Sequence, residues 1–414
     1  MRRPVQIYLD SSDYSDLSKP DAGLDPQLKR LREYLFALKE SGAIEIRFSA
    51  AHISEITHLE FRYKPLAMQR AALISGLCGG KVLRWAPELF AMEAAAAFYP
   101  KKVQSFPLYG QSDAGRWFPH FHDSLETTKN ILREQIREAL REKGLPRDRR
   151  REIERTFIRA GRLRPELIPF VKRFQQTTTA QLEAMYPLSD SFYRDEMVLK
   201  WVTGEVSSKD FETELFKGVS DPKNFTGWYF DRFSEAKPSI FWLRDLSKEV
   251  AQILGTMVDK ADEIRASSIL PSAILERILR EGLEEQRITV KRRLMPKLIE
   301  MSPELLAPYQ ISPSKLAKRA ATSEYVAPGF DLFLDLWIEH AWTSTASIES
   351  RRRLKDSDFI DFVHSANLPY VDLFRADGYC ANLIRSVAPE LAKRVVPKLG
   401  QLERAINNAL DGSS

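Results

Sequence analysis

The sequence predicts an α/β protein in which a mostly parallel sheet is flanked by helices and interrupted by a large all-helical insertion. Three observations predict this fold class. Apolar runs of strand length alternate with amphipathic helical segments over residues 1–105, and the same alternation returns over 330–414. The intervening residues, 106–329, are long, charged and helix-like. We therefore expect one α/β domain built from both ends of the chain, with 106–329 as an insertion.

The first half of this domain repeats a strand followed by a helix. Residues 5–9 are an apolar strand, and the helix after it has Asp25 as its cap and Gly42 beyond its end. A second strand over 44–48 leads into a helix that carries Glu55 near its start. The rhythm continues with a helix over 65–78, a short strand at 81–85 and a helix over 87–99.

Helical periodicity dominates the middle of the chain, and the strand signal returns in the last part. The predicted helices of the insertion are 123–143, 147–162, 165–185, 244–264 and 271–283. The carboxyl half is predicted to contain a helix over 358–366, a strand at 370–376, a helix over 378–386, a strand at 394–396 and a helix over 398–410.

Composition limits the classes of protein that this chain can be. Hydrophobic residues make up 43% of it, which is enough for a sizeable core, and no run approaches the roughly 20 apolar residues that span a bilayer. The only cysteines, Cys78 and Cys380, do not make a disulfide framework or a cysteine-based zinc site. We expect a soluble, cytoplasmic protein with no membrane partner.

Four acidic residues stand where the ends of predicted strands and helices can bring them together. Asp10 ends the first strand, Glu55 lies about one turn into the helix after the second, Asp361 lies on the helix over 358–366, and Asp377 follows the strand after it. Carboxylates that converge repel one another, so such a cluster is costly without a cation. Mg²⁺ or Mn²⁺ is the natural candidate, because these hard cations prefer oxygen ligands.

Three segments that carry these acids resemble the PIN-domain family of metal-dependent ribonucleases. They are "YLDSS", "HISEI" and "DFIDFVHSANLPYVDLFRADGY", and the resemblance covers roughly residues 1–100 and 330–414. It implies a PIN-like fold and a site in which Asp10, Glu55, Asp361 and Asp377 are both the catalytic residues and the metal ligands. The acids in the second and third segments are farther apart than in compact PIN toxins, and Ala376 replaces a usual hydroxyl residue.

Further polar residues lie close to the four acids in the sequence. The predicted accessory residues are Ser12, Asp358, His364 and Asp372. His364 has three open roles: it orients Asp361, donates a hydrogen bond within the site, or packs on the sheet. Asp13 and Asp16 are predicted to cap the turn after the first strand. Any single acid among these is more often a solvated surface residue, so the prediction depends on the joint pattern.

Basic segments supply a candidate surface for nucleic acid. Residues 147–173 contain ten basic and four acidic residues, and an arginine-rich stretch precedes Asp361. The predicted nucleic-acid-binding residues are Arg151, Arg155, Arg159, Arg162, Arg351, Arg352 and Arg353. The first four recur at helical spacing and would line one face of a helix. The alternative is a solvated helix in which Glu152 and Glu154 pair with the arginines.

These observations predict a metal-dependent endoribonuclease, of the kind that acts as a toxin or defence effector. The resemblance implies RNA as substrate, with DNA also open, an inhibitor or regulatory protein as partner, and a homo-oligomer as a further expectation. The alternative is a catalytically inactive PIN-like scaffold or RNA-binding protein that acts through its insertion. A phosphatase of the haloacid dehalogenase type ranks below both, because Ser12 stands where that family needs a second acid.

Overall fold

The computed structural model describes most of the chain. The described residues are 3–57, 60–103, 168–194, 196–203, 205–234, 262–345 and 356–412, with scattered positions at 117, 141, 144, 146–148, 158–159, 162–163, 252, 256 and 259–260. The predicted helix 123–143 lies almost entirely outside them, as does most of 244–264.

The described strands are short, and most of the described residues are helical. The strands are β1 (Val5–Tyr8), β2 (Ile44–Arg47), β3 (Ile158–Arg159), β4 (Arg162–Leu163), β5 (Leu373–Arg375) and β6 (Val395–Val396). The α-helices are α1 (Ser11–Leu17), α2 (Pro26–Glu40), α3 (Ala50–Ile56), α4 (Lys64–Cys78), α5 (Ala86–Phe98), α6 (Ile168–Met185), α7 (Asp190–Arg194), α8 (Met197–Thr203), α9 (Ser208–Ser220), α10 (Pro222–Asp231), α11 (Ser272–Glu300), α12 (Pro303–Leu306), α13 (Pro313–Thr322), α14 (Pro328–Thr345), α15 (Asp356–Ser365), α16 (Gly378–Val387), α17 (Pro389–Ala392) and α18 (Leu402–Gly412). Single 3₁₀ turns occur at Asp21–Gly23, Phe61–Tyr63, Ala307–Tyr309, Leu368–Tyr370 and Leu399–Gln401.

Four of the strands form an all-parallel sheet in the order β2-β1-β5-β6. The two central strands, β1 and β5, are neighbours, with Tyr8 opposite Phe374. An isolated parallel bridge between Phe48 and Val82 extends the sheet beyond β2, where the sequence predicts a short strand. The chain leaves β1 towards β2 and leaves β5 towards β6, so the direction of the connections reverses between β1 and β5. In parallel sheets, ligands bind outside the carboxyl ends of the strands at this reversal.

Local signals in the sequence explain why the elements around the sheet begin and end where they do. Asp25 caps α2 by accepting a hydrogen bond from the Gln27 backbone amide at 2.8 Å. Gly42 follows this helix with φ of 72°, a conformation that glycine adopts without steric cost. The mixed α/β class and the parallel sheet that the sequence predicts are both present.

The chain divides into two compact units, the first made of Met1–Phe118 with Arg232–Ser414 and the second of Pro119–Asp231. The second unit contains α6–α10, where Trp201 stacks on Phe211 with ring centroids 4.4 Å apart. The sequence predicts a single insertion over 106–329. The structure instead packs α11 against α5, α13 and α14 of the first unit, so the long helix belongs with the sheet-bearing part of the chain.

The sequence predicts a helix over 147–162, and the described residues at its end contradict it. Ile158–Arg159 and Arg162–Leu163 pair as an antiparallel hairpin, with Arg159 opposite Arg162. Gly161 lies between the two strands in sequence, and glycine disfavours the continuation of a helix. Arg159 and Arg162 therefore do not lie on a common helical face. Arg151 and Arg155 lie outside the described residues, as do Arg351, Arg352 and Arg353.

A buried glutamate joins α5 to the start of α14, and we call this arrangement the Glu93 anchor. The Glu93 carboxylate accepts hydrogen bonds from the backbone amides of Gly329 at 2.6 Å and Phe330 at 3.1 Å. The Tyr370 hydroxyl donates a third. A Cβ atom at Gly329 would lie 2.5 Å from the Ala366 carbonyl oxygen, so only glycine fits this contact. The anchor satisfies backbone amides that the first turn of a helix leaves unpaired.

The apolar core around the anchor is formed by α5, α11, α13, α14, α15 and α16 together with Tyr8 and Phe374 of the central strands. Tyr8 and Phe374 stack face to face with ring centroids 5.1 Å apart. In the part of the chain that the structure describes, no helix is both long enough and apolar enough to cross a bilayer.

Candidate active site

The carboxyl ends of β1 and β5 each lead directly into a helix that an aspartate caps. Asp10 is the N-cap of α1, and its carboxylate accepts hydrogen bonds from Ser12, at 3.4 Å from the backbone amide and 3.0 Å from the hydroxyl. Asp377 is the N-cap of α16 and accepts from the Cys380 backbone amide at 2.6 Å. Because β1 and β5 are neighbouring parallel strands, both aspartates lie at the same edge of the sheet.

Glu55 on α3 is brought to this edge by contacts with two other elements. His364 of α15 contacts the Glu55 carboxylate through Nε2 at 2.9 Å. The Ser11 hydroxyl of α1 donates to the same oxygen. On its other side, the His364 ring contacts the Tyr8 hydroxyl through Nδ1 at 2.5 Å. Of the three roles open to His364, the structure gives it the hydrogen bond within the site.

Asp361 lies one helical turn before His364 on α15, and its charge environment links the four predicted acids. Burial, together with repulsion from the carboxylates of Glu55, Asp10 and Asp377, raises the pKa of Asp361 to about 8, although His364 opposes this shift. The four acids therefore interact electrostatically across the ends of β1, β5, α3 and α15. We call Asp10, Glu55, Asp361 and Asp377 the acid cluster.

Glu55 and His364 stabilise each other's charged forms inside this cluster. Burial alone would raise the pKa of Glu55, but the hydrogen bond and positive charge of His364 hold it below its ordinary value. Burial alone would lower the pKa of His364, but its contact with Glu55 and the charges of Asp10 and Asp361 raise it. Glu55 and His364 thus form an ion pair within the cluster. Asp361 has no such partner and is repelled by the other carboxylates.

A second, fully buried ion pair supports the edge from below, and we call it the Asp13–Arg375 clamp. Arg375 donates to both oxygens of Asp13, with Nε at 2.9 Å from Oδ2 and Nη2 at 2.7 Å from Oδ1. Asp13 is 2% exposed and Arg375 is 6% exposed. Asp13 Oδ2 also accepts from the Asp10 backbone amide at 3.0 Å. Since Arg375 lies two residues before Asp377, the clamp fixes the segments that carry both capping aspartates.

His52 ties the end of β1 to the start of α3. Its Nδ1 accepts from the Ser49 backbone amide at 3.0 Å, and its Nε2 lies 2.8 Å from the Leu9 carbonyl oxygen, which it meets as a donor. Burial and the neighbouring His364 charge lower the pKa of His52 to about 3, so this ring is neutral at physiological pH. Its contacts hold the helix that carries Glu55 beside the strand that leads to Asp10.

The accessory residues predicted from the sequence do not all reach the site. The Ser12 hydroxyl donates to the Asp10 carboxylate. Asp358 is buried beside His340, whose Nε2 lies 3.4 Å from its carboxylate. Asp372 is predicted as an accessory residue, but the structure does not bring it to the acid cluster. It lies before β5, at the amino edge of the sheet, where it binds Arg3 at 2.7 Å and the Gln6 amide at 2.9 Å.

Sequence reasoning missed four contributors to the site: Ser11, Tyr8, His52 and the Asp13–Arg375 clamp. His52 stands inside the quoted "HISEI" segment, three residues before Glu55 and therefore on a neighbouring part of the same helix. The sequence predicts a cap at Asp13, and the capping bond to the Asp10 amide is present. The burial of Asp13 against Arg375 has no local signal in the sequence, because the two residues are 362 positions apart.

The donor set suits a hard divalent cation in its chemistry, but the side chains do not form a closed ligand group. Among the described residues, no three His, Cys, Asp or Glu side chains are arranged to hold a metal ion. Glu55 is engaged by His364 and Ser11, and Asp377 by the Cys380 amide. Carboxylate oxygens are the ligand type that Mg²⁺ and Mn²⁺ prefer, and binding of either ion here would require Glu55 and Asp377 to give up these hydrogen bonds.

Comparison of the chain with protein-family models, with curated proteins and with solved structures gives no match. The function of the protein is therefore inferred from the geometry of the acid cluster and from the motifs that carry it.

Proposed function

We propose that this protein is a divalent-metal-dependent nuclease that cleaves RNA. One observation carries the proposal: two capping aspartates, Asp10 and Asp377, end neighbouring parallel strands at the point where the sheet connections reverse. Glu55 and Asp361 interact with them from flanking helices. Several carboxylates at one edge of a parallel sheet are suited to hold Mg²⁺ or Mn²⁺ beside a phosphodiester. The PIN-like segments that contain these acids favour RNA as the substrate.

The residues of the acid cluster would have different tasks. Asp10, Asp361 and Asp377 supply carboxylate oxygens at the rim, and a bound divalent ion would neutralise phosphate charge and lower the pKa of a water molecule. Asp361 would lose the proton that its raised pKa retains when a cation occupies the cluster. His364 holds Glu55 in place through the 2.9 Å contact, and Tyr8 fixes the orientation of the His364 ring.

A PIN-like scaffold without catalytic activity is the second candidate, and one observation favours it. The charge of Glu55 is already neutralised by His364, so this acid is satisfied without a metal ion. Such a protein would bind RNA and leave it intact.

The test is cleavage of 5′-labelled single-stranded RNA, and DNA of the same sequence, by the full-length protein. Parallel reactions contain Mn²⁺, Mg²⁺ or EDTA. We expect RNA cleavage with either metal, none with EDTA, and a rate lowered about 10²-fold or more by Asp10→Asn, because a charged group at the reacting phosphate is lost. Asp16→Asn is the matched control, since Asp16 lies on the same helix, is 49% exposed and pairs with Lys19 at the surface.

The outcomes separate the two candidates. Cleavage that persists in EDTA, or that Asp10→Asn leaves unchanged, contradicts the metal-dependent nuclease. RNA binding without cleavage, at the same affinity in the wild type and in Asp10→Asn, supports the inactive scaffold.

A further inference from the structure

Aromatic and basic side chains alternate in the 3₁₀ turn before α4 and at the first residue of that helix. We call Phe61, Arg62, Tyr63 and Lys64 the aromatic-basic patch. Phe61 is 55% exposed, more than any other phenylalanine in the parts of the chain that the structure describes. The Arg62 guanidinium lies 4.9 Å from the centroid of the Tyr63 ring, and the Lys64 ammonium lies 5.7 Å from the centroid of Phe61. The patch therefore presents rings and positive charges together at the surface.

The contacts of the patch hold its side chains in place but leave them accessible. The Phe61 ring meets Phe233 edge to face with centroids 5.9 Å apart, while more than half of Phe61 stays exposed. Arg62 pairs with Glu60 at 2.8 Å, and these side chains are 69% and 57% exposed. An exposed ion pair contributes little to stability, so a phosphate can replace the Glu60 carboxylate at Arg62.

The chain places the aromatic-basic patch near the acid cluster. Phe61 follows Glu55 by six residues, which span at most about 22 Å. The helix that begins at Lys64, α4, packs against α1 and α3, which lead from two of the four acids or carry them. Arg70 on α4 is half-buried; burial lowers the pKa of its guanidinium, and the negative charges of Glu55 and Asp16 oppose this shift. Positive charge thus continues from the patch along α4 to the edge of the cluster.

We propose that the aromatic-basic patch binds the single-stranded segment of RNA that leads to the acid cluster. A base stacks on the exposed Phe61 ring, Arg62 and Lys64 contact phosphates, and Arg70 attracts the phosphates that lie closer to the cluster. Rings set between cations suit a single strand, because every base has a flat face and the backbone is anionic. This role in substrate binding rests on the proposed nuclease function, since it concerns the substrate of the same site.

A protein partner suits this surface less well than RNA does. Stable protein interfaces bury roughly 800 Å² on each partner, and lysine is depleted at their core. The patch consists of four residues, and charged groups flank its exposed ring. Double-stranded RNA is also a poor ligand for the ring, because paired bases are stacked on one another and present no free face.

The experiment measures binding of a fluorescein-labelled single-stranded RNA of about 12 nucleotides to the full-length protein by fluorescence anisotropy in EDTA. Phe61→Leu removes the ring but keeps an apolar side chain, and it should weaken binding about tenfold. Phe61→Tyr keeps the ring and should bind as the wild type does. Tyr193→Leu is the matched control, because it removes a ring that is 44% exposed in the second unit, and it should leave the affinity unchanged.

Lys64→Ala tests the phosphate contact. It should reduce the slope of log K against log salt concentration by about 0.7, the value for one phosphate contact on a single strand. Lys393→Ala is the matched control, because Lys393 is exposed and precedes β6 at the amino edge of the sheet, opposite the acid cluster. It should leave the slope unchanged. The same RNA paired with its complement should bind more weakly, and Phe61→Leu should not alter that binding.

The outcomes test the patch separately from the nuclease, because EDTA prevents metal-dependent cleavage. Absence of RNA binding by the wild type, or equal affinities of the wild type and Phe61→Leu, overturns the proposal. So does an equal effect of Phe61→Leu and Tyr193→Leu, or an equal effect of Phe61→Leu on single-stranded and paired RNA. Cleavage in Mn²⁺ together with unchanged affinity of Phe61→Leu contradicts the patch alone. Binding that depends on Phe61, without cleavage in Mn²⁺, contradicts the nuclease alone.

Discussion

The acid cluster and the Glu93 anchor both bury carboxylates in the same compact unit, but they treat the negative charge in opposite ways. Glu93 receives two backbone amides and a tyrosine hydroxyl. Asp361 instead faces three other carboxylates. Burial raises the pKa of both acids, but hydrogen bonds oppose the rise at Glu93 and repulsion adds to it at Asp361. Donors around a buried acid indicate that the acid holds the fold together. Buried acids that repel one another lower stability, and such clusters are typical of functional sites.

The Asp13–Arg375 clamp is the strongest test of this comparison, because it is a buried acid with a complete cationic partner. Asp13→Ala leaves Arg375 buried without its bidentate partner, and we expect the free energy of unfolding to fall by about 3–5 kcal/mol. Urea denaturation followed by circular dichroism measures this change. Asp16→Ala should change stability by less than about 0.5 kcal/mol, since Asp16 forms an exposed pair with Lys19. A small loss at Asp13 would refute the supporting role of the clamp.

The Glu93 anchor should show the next largest loss. Glu93→Ala leaves the amides of Gly329 and Phe330 and the Tyr370 hydroxyl without their acceptor, so we expect a loss of about 3 kcal/mol. Glu93→Gln retains one acceptor oxygen and should cost less. Thermal unfolding by differential scanning calorimetry ranks the two variants. Equal stability of Glu93→Ala and the wild type would show that the anchor does not hold α14.

Gly329→Ala tests the close approach beside the same anchor. The added Cβ would lie 2.5 Å from the Ala366 carbonyl oxygen and 2.8 Å from Glu93 Oε1, so the backbone has to move. We expect a loss of about 1–3 kcal/mol in the free energy of unfolding. Gly282→Ala is the matched control in α11, because nothing lies within 4 Å of its added Cβ, and it should be neutral or stabilising.

A substitution in the acid cluster should change the free energy of unfolding least, and it should raise this free energy where the others lower it. Asp361→Asn removes the repulsion from Glu55, Asp10 and Asp377, so in EDTA at pH 8.5 it should stabilise the protein by about 1 kcal/mol. The raised pKa of Asp361 means that its contribution to stability is present below its ordinary pKa and is lost as the pH rises towards about 8. Glu93 and His364, whose pKa values are also raised, act in the same direction.

The pH dependence provides the check on that variant. Denaturation of the wild type in EDTA should show a higher free energy of unfolding at pH 5.5 than at pH 8.5, and Asp361→Asn should reduce the difference. Two groups of the site act in the other direction: Glu55 only at lower pH, because its lowered pKa makes its contribution disappear when it is protonated, and His52 below its ordinary pKa, because burial keeps it neutral in the fold. If Asp361→Asn instead destabilises the protein at pH 8.5, Asp361 stabilises the fold as Glu93 does, and the comparison fails.

Local signals predicted the elements around the sheet well. The cap at Asp25 and the turn at Gly42 mark helix ends that depend on a few neighbouring residues, and these features are present in the structure. The parallel sheet follows from the alternation of strands and helices. Arginine spacing favoured a helix over the hairpin at Ile158–Leu163, because the glycine between its two strands is a weaker signal than four regularly spaced arginines.

The parts of the site that depend on long-range pairing could not be predicted. The contact of Glu55 with His364 joins residues 309 positions apart, and the clamp joins residues 362 positions apart. Asp372 was misplaced because the start of β5, which decides the edge of the sheet that a residue occupies, is not encoded in local periodicity. Four acids could be named from sequence motifs, but not the surrounding charges that shift their pKa values unequally.

The placement of β5 between β1 and β6 has a consequence for synthesis of the chain. β1 leaves the ribosome long before its neighbour β5, because more than three hundred residues separate the two strands. During that interval one edge of β1 has no strand beside it, and unpaired edges promote aggregation. Translation that stops before residue 373 would leave Asp10 and Glu55 without the opposite half of their rim, so synthesis of the chain through Asp377 is a condition for assembling the cluster.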